Sequence, residues 1–235
     1  MFRSTIPLTL LALALGVPQE SRRPVAPSAP GPAREDAAEP ALEEERMIIE
    51  YSAASNEAVV LVEAESEEAL ASVAVLGPGD ASVLELLGAG EGKSLALSGF
   101  VVESRELPPE ELFALYPAGT YDMRARSTGG RLLLGTAKLS HRLLAEPALL
   151  YPPDGATNVP TDLTIGWISD PLAIGYQVVL EQGENDGLVV KLPAGSSSLQ
   201  VPPGVLAPGK QSHVEVGAIE ASGNLTLVES FFTTR

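Results

Sequence analysis

Short apolar runs separated by turn residues recur from Met47 onward, and this spacing constrains the fold more than any other feature of the chain. The first runs are MIIEYSA, AVVLVEAES and ALASVAVLG, and the turn sequence GPGD follows them. Strand-like runs at intervals of roughly ten residues are typical of an all-β sandwich. The 22 Gly and 20 Pro suit a chain with many turns. We therefore predict an all-β fold with two β-sandwich domains in tandem.

One segment has a helical pattern instead. In LPPEELFALYP, proline pre-organises a first turn, and Glu110 and Glu111 complement the positive end of a helix. Pro117 cannot continue the helix, because proline lacks the backbone N–H. The sequence predicts one short helix over residues 107–116, which connects two strands.

The N-terminus has the three parts of an export signal. MFR is positively charged, LTLLALAL is a short apolar stretch, and Ala14-Leu15-Gly16 supplies small residues for cleavage. The apolar stretch is too short to cross a bilayer, which takes about 20 residues. We expect a signal peptide over 1–16 and an exported protein, periplasmic or extracellular, with no transmembrane segment in the mature chain. An uncleaved N-terminal anchor is the alternative.

Composition changes twice along the remaining chain. Residues 17–45 are rich in Pro, Ala and acidic side chains and have no large apolar face, which predicts a disordered linker. Within it, ALEEERM could form a brief helix. Residues 46–146 are then expected to form the N-terminal β-rich domain. The prolines of EPALLYPP mark the boundary to a second domain over 147–235.

Charge and cysteine content exclude several classes of function. The formal net charge is -16, from 15 basic and 31 acidic residues, which argues against a nucleic-acid partner because phosphate binding needs clustered Lys and Arg. The acidic excess indicates either solubility or a surface for cations or a basic partner. The absence of cysteine removes disulfides, thiolate metal sites and thiol catalysis.

The last 85 or so residues alternate apolar and polar side chains over several predicted strands. Because successive side chains of a strand point to opposite faces, the apolar members of each strand share one face. Trp167, the one tryptophan of the chain, is in phase with its apolar neighbours in DLTIGW. We predict that these residues form a structural core, with these members: Leu163, Ile165, Trp167, Tyr176, Val178, Val214 and Val216.

Residues 147–235 resemble a fibronectin type III domain. The resemblance is carried by the proline-rich opening strand, Trp167, Tyr176, the LAPG of 206–209, the VEVGAI of 214–219 and the closing SFFTT. It implies a β-sandwich. Many such domains have a tyrosine three residues after the LxPG glycine, whereas this chain has Ser212. Over 47–235, the order of motifs also resembles exported bacterial proteins of an uncharacterised family, which implies no catalytic residues.

We considered three kinds of functional motif: a phosphate-binding loop, a histidine metal site and a serine nucleophile. The sequence meets the requirements of none of them. GAGEGKS, at 88–94, lacks the first glycine of a phosphate-binding loop, because Leu87 occupies that position. His141 and His213 form no HExxH motif and are expected to be solvated surface residues. There is no GxSxG elbow. The sequence therefore predicts no catalytic residue, no cofactor and no metal ligand.

Acidic residues in predicted loops leave calcium binding as an open alternative. Calcium favours several oxygen ligands from loops, but no DxDxDG run is present. Asn224-Leu225-Thr226 is a glycosylation sequon only in a host that uses it, and otherwise a turn. The loop carboxylates in question are Asp154, Asp162, Asp170, Glu184 and Asp186.

These observations favour a non-catalytic exported binding or scaffolding protein that makes protein–protein contacts through its sandwich domains. Its partner would be an unknown protein or cell-envelope component. A carbohydrate-binding accessory module is the alternative, and it needs exposed aromatic side chains on one face. A hydrolase with a dispersed site is a further alternative.

Overall fold

The computed structural model describes residues 41–88, 97–183 and 185–235. The predicted signal peptide, the linker up to residue 40 and residues 89–94 of GAGEGKS lie outside the described residues, as does Glu184. Within the part that is described, no helix has the length and apolar character needed to span a membrane.

The described chain is almost entirely β-structure, which confirms the all-β prediction. One short helix, α1 (Pro109–Leu115), lies between the fourth and fifth strands. The strands are β1 (Glu43–Ser52), β2 (Glu57–Leu76), β3 (Ser82–Leu87), β4 (Leu97–Glu103), β5 (Gly119–Ser127), β6 (Leu132–Leu139), β7 (Ala148–Tyr151), β8 (Ala156–Val159), β9 (Thr164–Ile168), β10 (Gly175–Gln182), β11 (Asn185–Pro193), β12 (Ser198–Gln200), β13 (Gln211–Ile219) and β14 (Leu225–Thr234).

Helix α1 is shorter than the predicted 107–116 at both ends. Leu107 exchanges backbone hydrogen bonds with Ala58 on β2, so the chain is still extended there. The helix can begin only after Pro108, and Leu112 is its buried residue. A strand contact that sequence cannot show therefore sets its start.

The first core is built around β2, the longest strand. The first half of β2 pairs with β1 and β4, and its second half pairs with β3 and β5. This one strand therefore connects two sets of strands around the first core. Strand β6 pairs with β5 and returns towards Leu42. The largest fully buried side chains here are Met47, Ile49, Leu70, Leu112, Tyr121, Met123, Leu133 and Leu139.

The second core lies between two sheets in the C-terminal half. One is the three-stranded sheet β12-β9-β7, and the other contains β11-β10-β13-β14, with β8 beside β14. Trp167 comes from the first sheet and Tyr176 from the second, and their rings meet with centroids 5.4 Å apart. This half is a fibronectin type III-like sandwich, as the resemblance implies.

The two halves share a continuous sheet, in the order β11-β10-β13-β14-β1-β2-β5-β6. The join is a parallel pairing of β1 with β14, in which Glu50 lies opposite Leu225. The predicted boundary at 146/147 stays a prediction: Leu144, which precedes it, already packs in the second core, and the sheet runs through both halves.

Strand β1 begins at Glu43, inside the predicted linker of 17–45. Glu43 pairs with Glu65 on β2, and Leu42 is buried. The brief helix suggested for ALEEERM is wrong for residues 43–47, which are extended. Pairing of Glu43, Arg46 and Met47 with β2 outweighs the helical propensity of an acidic run.

Candidate functional site

One face of the continuous sheet carries a concentration of carboxylates from both halves. On β13, Val214 and Val216 point into the second core, so His213 and Glu215 point to the opposite face. On β1, Met47 and Ile49 point into the first core, so Glu50 points to that same opposite face. We call this surface the acidic face; its strand carboxylates are Glu50, Glu63, Glu65, Glu103, Glu181, Glu215 and Glu229.

The middle of the acidic face is apolar. Ile48 and Leu61 from the first half are almost fully buried there, although they point away from the first core. The side chains that cover them include Leu225 and Leu227 of β14 and Ile219 of β13. Strands of the C-terminal half therefore help to bury side chains of the N-terminal half on this face.

His213 lies among three carboxylates at one end of the acidic face. Its Nε2 atom is 3.1 Å from Glu229 Oε2 and 3.8 Å from Glu215 Oε1. Its Nδ1 atom is 3.8 Å from Glu181 Oε2. The ring stacks on Phe231, with centroids 4.3 Å apart and planes 13° from parallel. Three neighbouring strands, β10, β13 and β14, bring these side chains together.

Two carboxyl groups of the acidic face are perturbed by burial. Burial, together with the negative charges of Glu215 and Glu103, raises the pKa of Glu50 to about 7 against the lowering effect of Arg46. Among the described residues, none hydrogen-bonds Glu50 Oε1, which is buried. Burial also raises the pKa of Glu215, against the lowering effect of His213. The carboxylates of the two halves therefore influence one another.

Permanent cations compensate only part of this charge. Arg46 Nε lies 2.7 Å from Glu63 Oε1. Lys191 on β11 occupies the same face, because it pairs with Gln177, whose neighbour Tyr176 points into the second core. The acidic face therefore carries a net negative charge at neutral pH.

Asn224 fastens the two halves beside this face. Its Oδ1 atom accepts a hydrogen bond from the Ile49 backbone N–H at 2.9 Å. Its Nδ2 atom donates to the carbonyl oxygens of Ser140 and Arg142, at 2.8 and 2.9 Å. Asn224 is 1% exposed. In this fold the Asn224 amide is an internal hydrogen-bonding group. It is therefore not accessible for glycosylation at the Asn224-Leu225-Thr226 sequon.

The residues predicted as a structural core all lie in the second core: Leu163, Ile165, Trp167, Tyr176, Val178, Val214 and Val216. Trp167 is 1% exposed, so its ring has no free face to offer a sugar or a peptide. The Tyr176 hydroxyl accepts a hydrogen bond from the Asp170 backbone N–H at 2.6 Å, which fixes the loop after β9.

Ser212, at the position where many fibronectin type III domains have a tyrosine, is hydrogen-bonded by Gln182 of β10. Gln182 Nε2 donates to the buried Ser212 Oγ at 2.9 Å and to the Ala207 carbonyl oxygen at 3.0 Å. Gln182 Oε1 accepts from the Ala207 N–H at 2.6 Å. Side-chain hydrogen bonds of Gln182 therefore connect strand β10 to the LAPG turn.

The histidines are not the solvated surface residues that the sequence suggests. His141 stacks on Phe113, with centroids 4.1 Å apart, and its Nε2–H donates to the Tyr116 carbonyl oxygen at 2.7 Å. It thereby anchors the end of α1. His213 is half-buried among carboxylates. Alternation in QSHVEVGAI places His213 and Glu215 on one face, but nothing local reveals the partners Glu181 and Glu229.

Two of the loop carboxylates considered for calcium accept hydrogen bonds from backbone N–H groups. Asp154 Oδ1 accepts from the Phe231 N–H at 2.9 Å, and Asp170 Oδ1 accepts from the Leu172 N–H at 2.7 Å. Glu184 and the side chain of Asp186 lie outside the described residues. These contacts explain Asp154 and Asp170 as loop-stabilising groups.

No protein-family model matches the chain, and no curated protein matches it. Among solved structures, the chain is similar to fibronectin(III)-like modules of Clostridium thermocellum CbhA, with 11% identity, a TM-score of 0.32, and coverage of 85% of this chain and 92% of that one. It is similar to a two-domain fibronectin type III segment of chicken tenascin, with 11% identity, a TM-score of 0.31 and coverage of 82% and 99%.

The human OSCAR ligand-binding domain is also similar, with 12% identity, a TM-score of 0.30, and coverage of 80% of this chain and 95% of that one.

Proposed function

We propose that this protein is a non-catalytic, exported binding protein that holds a basic protein or cell-envelope partner on its acidic face. The observation that carries this proposal is that carboxylates from both halves surround one apolar strip. The apolar strip consists of Ile48, Val59, Leu61, Ile219, Leu225 and Leu227. Export is supported by the signal-peptide pattern of 1–16.

In the free protein, part of the negative charge on the acidic face is not compensated by neighbouring cations. Burial raises the pKa of Glu50 and of Glu215, which means that their charged forms are poorly solvated. A partner that brings Lys or Arg to this face would restore favourable charge pairing. Complementary charge also speeds association and excludes partners of the wrong sign.

The apolar strip supplies the second component of an interface. Leu227 and Ile219 are only partly buried at its edge, and Val101 on neighbouring β4 is exposed. Interfaces combine an apolar centre with a polar rim, as this surface does. Because the strip is formed by strands of both halves, the proposed partner contacts both.

The alternatives have less support from the geometry. A carbohydrate platform needs an exposed aromatic ring with a free face, whereas Trp167 and Tyr176 are buried and the exposed Phe231 is stacked on His213. A hydrolase needs a base that is free to take a proton, whereas His141 is committed to a backbone carbonyl.

The proposal is tested by capture from envelope extract on the immobilised full chain, compared with the double variant Glu65→Gln/Glu103→Gln. Both residues are exposed on the acidic face. The control Glu110→Gln/Glu146→Gln removes the same charge from exposed positions elsewhere. We expect a basic partner that binds wild type and control and is lost from the acidic-face variant. The same partner should elute when NaCl rises from about 0.05 to about 0.5 M, because salt screens exposed charges.

Two results would count against the proposal. One is a partner retained equally by both double variants, because the acidic face would then be dispensable. The other is a captured partner that is acidic and insensitive to salt.

A further inference from the structure

The three ligand-type atoms around His213 have the spacing of a metal site. The ligand atoms of His213, Glu215 and Glu229 all lie within 4.8 Å of one another. Bonds of about 2.0–2.2 Å in a tetrahedral site place ligand atoms roughly 3.3–3.6 Å apart. The distances from His213 Nε2, at 3.1 Å to Glu229 and 3.8 Å to Glu215, bracket that value.

A carboxylate lies near the other ring nitrogen of His213, although it is too far away for a hydrogen bond in this structure. Metal-binding histidines usually direct their second ring N–H to a carboxylate, which fixes the ring and increases its basicity. Here Glu181 Oε2 lies 3.8 Å from Nδ1, on the side away from Glu229. Phe231 stacks on the ring and restricts its rotation. The imidazole is thus held with Nε2 towards the two carboxylates.

Rigid strands position all three ligands. His213 and Glu215 are alternate residues of β13, and Glu229 is the direct register partner of Glu215 on β14. Sites on strands hold their geometry better than sites on loops. A single positive charge on His213 would face three carboxylates, whereas a divalent cation would neutralise two of them.

We propose that His213, Glu215 and Glu229 bind one divalent first-row transition metal ion, with Glu181 orienting the imidazole. A nitrogen ligand with two carboxylates suits Zn²⁺ or a neighbouring ion, whereas Ca²⁺ and Mg²⁺ prefer oxygen alone. This inference departs from the sequence-based expectation that His213 is not a ligand. It does not depend on the proposed partner.

The experiment titrates the full chain with Zn²⁺ by calorimetry and follows the two histidine rings by NMR. His141 serves as an internal reference, because it lies at the end of α1, where it hydrogen-bonds the Tyr116 carbonyl oxygen, and it does not belong to the proposed metal site. We expect one saturable Zn²⁺ site, with shifts of the His213 ring nitrogens and none for His141. Ca²⁺ and Mg²⁺ should bind at least about tenfold more weakly, because they gain little from imidazole.

Variants separate the ligands from the orienting residue. Glu229→Gln and His213→Asn should abolish saturable binding. Glu181→Gln should weaken Zn²⁺ roughly 10- to 100-fold and leave the stoichiometry unchanged. The matched control Glu146→Gln removes an exposed charge elsewhere and should bind as wild type does.

The inference is overturned if Zn²⁺ shows no saturable binding, if His213→Asn or Glu229→Gln binds as tightly as wild type, or if Ca²⁺ competes equally. Glu229 is exposed, so its variant is expected to fold even if the His213 variant does not. Partner capture by Glu65→Gln/Glu103→Gln reports on the proposed function alone, because neither residue belongs to the metal set.

Discussion

Asn224 and Ile49 are 175 residues apart in the chain, yet the side-chain Oδ1 of Asn224 accepts a hydrogen bond from the Ile49 N–H at 2.9 Å. The same amide donates to two carbonyl oxygens of the segment that connects the halves. Parallel pairing of β1 with β14 begins directly beside this contact. Asn224 therefore links the first strand, the connecting segment and the last strand.

Replacing Asn224 by Ala should weaken the coupling between the halves. The buried Ile49 N–H is left unsatisfied, at about 1–3 kcal/mol, and the two partly buried carbonyl oxygens each lose a hydrogen bond of about 0.5–1.5 kcal/mol, so we expect a total loss of roughly 2–6 kcal/mol. Trp167 fluorescence reports on the second core, whereas far-UV circular dichroism reports on the whole chain. We expect the two unfolding transitions to coincide in wild type and to separate in the variant.

Thr120→Ala, an exposed change on β5, is the control and should keep the transitions together. Coincident transitions in Asn224→Ala, with little loss of stability, would show that strand pairing alone couples the halves.

Replacing Glu50 by Gln should alter how stability depends on pH. The pKa of Glu50 is raised from 4.5 to about 7 in the folded protein, so the native state binds more protons than the unfolded state between these values. Stability contributed by this group therefore falls as pH rises from about 4.5 to 7, by up to about 3 kcal/mol. Glu50→Gln should be more stable than wild type at pH 8 by about 2–3 kcal/mol and similar at pH 4.

Urea unfolding at several pH values measures this effect. Glu43→Gln is the matched control, because Glu43 lies on the same strand and is exposed. Parallel pH profiles for wild type and Glu50→Gln would contradict a buried, poorly solvated carboxyl group at this position.

Replacing Trp167 by Ala should destabilise the protein by roughly 3–5 kcal/mol, as expected for loss of a large core side chain. Trp167 Nε1 has no hydrogen-bond partner among the described residues. Trp167→Phe therefore loses packing area without losing a hydrogen bond and should cost about 1–2 kcal/mol. Urea unfolding followed by circular dichroism measures both.

Leu172→Ala, at a position 60% exposed, is the control and should change stability by less than about 0.5 kcal/mol. If Trp167→Ala unfolded at the same urea concentration as wild type, the second core would not depend on this ring.

Replacing Gln182 by Ala should loosen the LAPG turn. The change leaves the Ala207 N–H without its side-chain partner, whereas the Ala207 carbonyl oxygen keeps the hydrogen bond from Thr234 Oγ1, so we expect a cost of about 0.5–1.5 kcal/mol. Hydrogen exchange at the Ala207 amide should accelerate markedly, while amides in the centre of β13 should not change. Gln211→Ala, an exposed residue at the start of β13, is the control. Equal Ala207 exchange in both variants would show that the turn is held by other contacts.

Local sequence patterns were sufficient to predict the class of fold and the face of each strand on which core residues lie. Alternation in DLTIGWI put Trp167 in phase with Leu163 and Ile165, and all three are buried in one core. This succeeds because side-chain direction in a strand has a period of two and depends only on local geometry. Turn residues predicted strand breaks for a similarly local reason.

Only the tertiary structure decided which strands are neighbours, and the candidate sites depend on that. Alternation places His213 and Glu215 on one face, but the positions of Glu181 and Glu229 follow from the pairing of β10, β13 and β14. The same holds for Glu50, which reaches the acidic face of the C-terminal half because β1 pairs with β14. Pairing between distant strands depends on the packing of the whole chain, so no local pattern in the sequence reveals it.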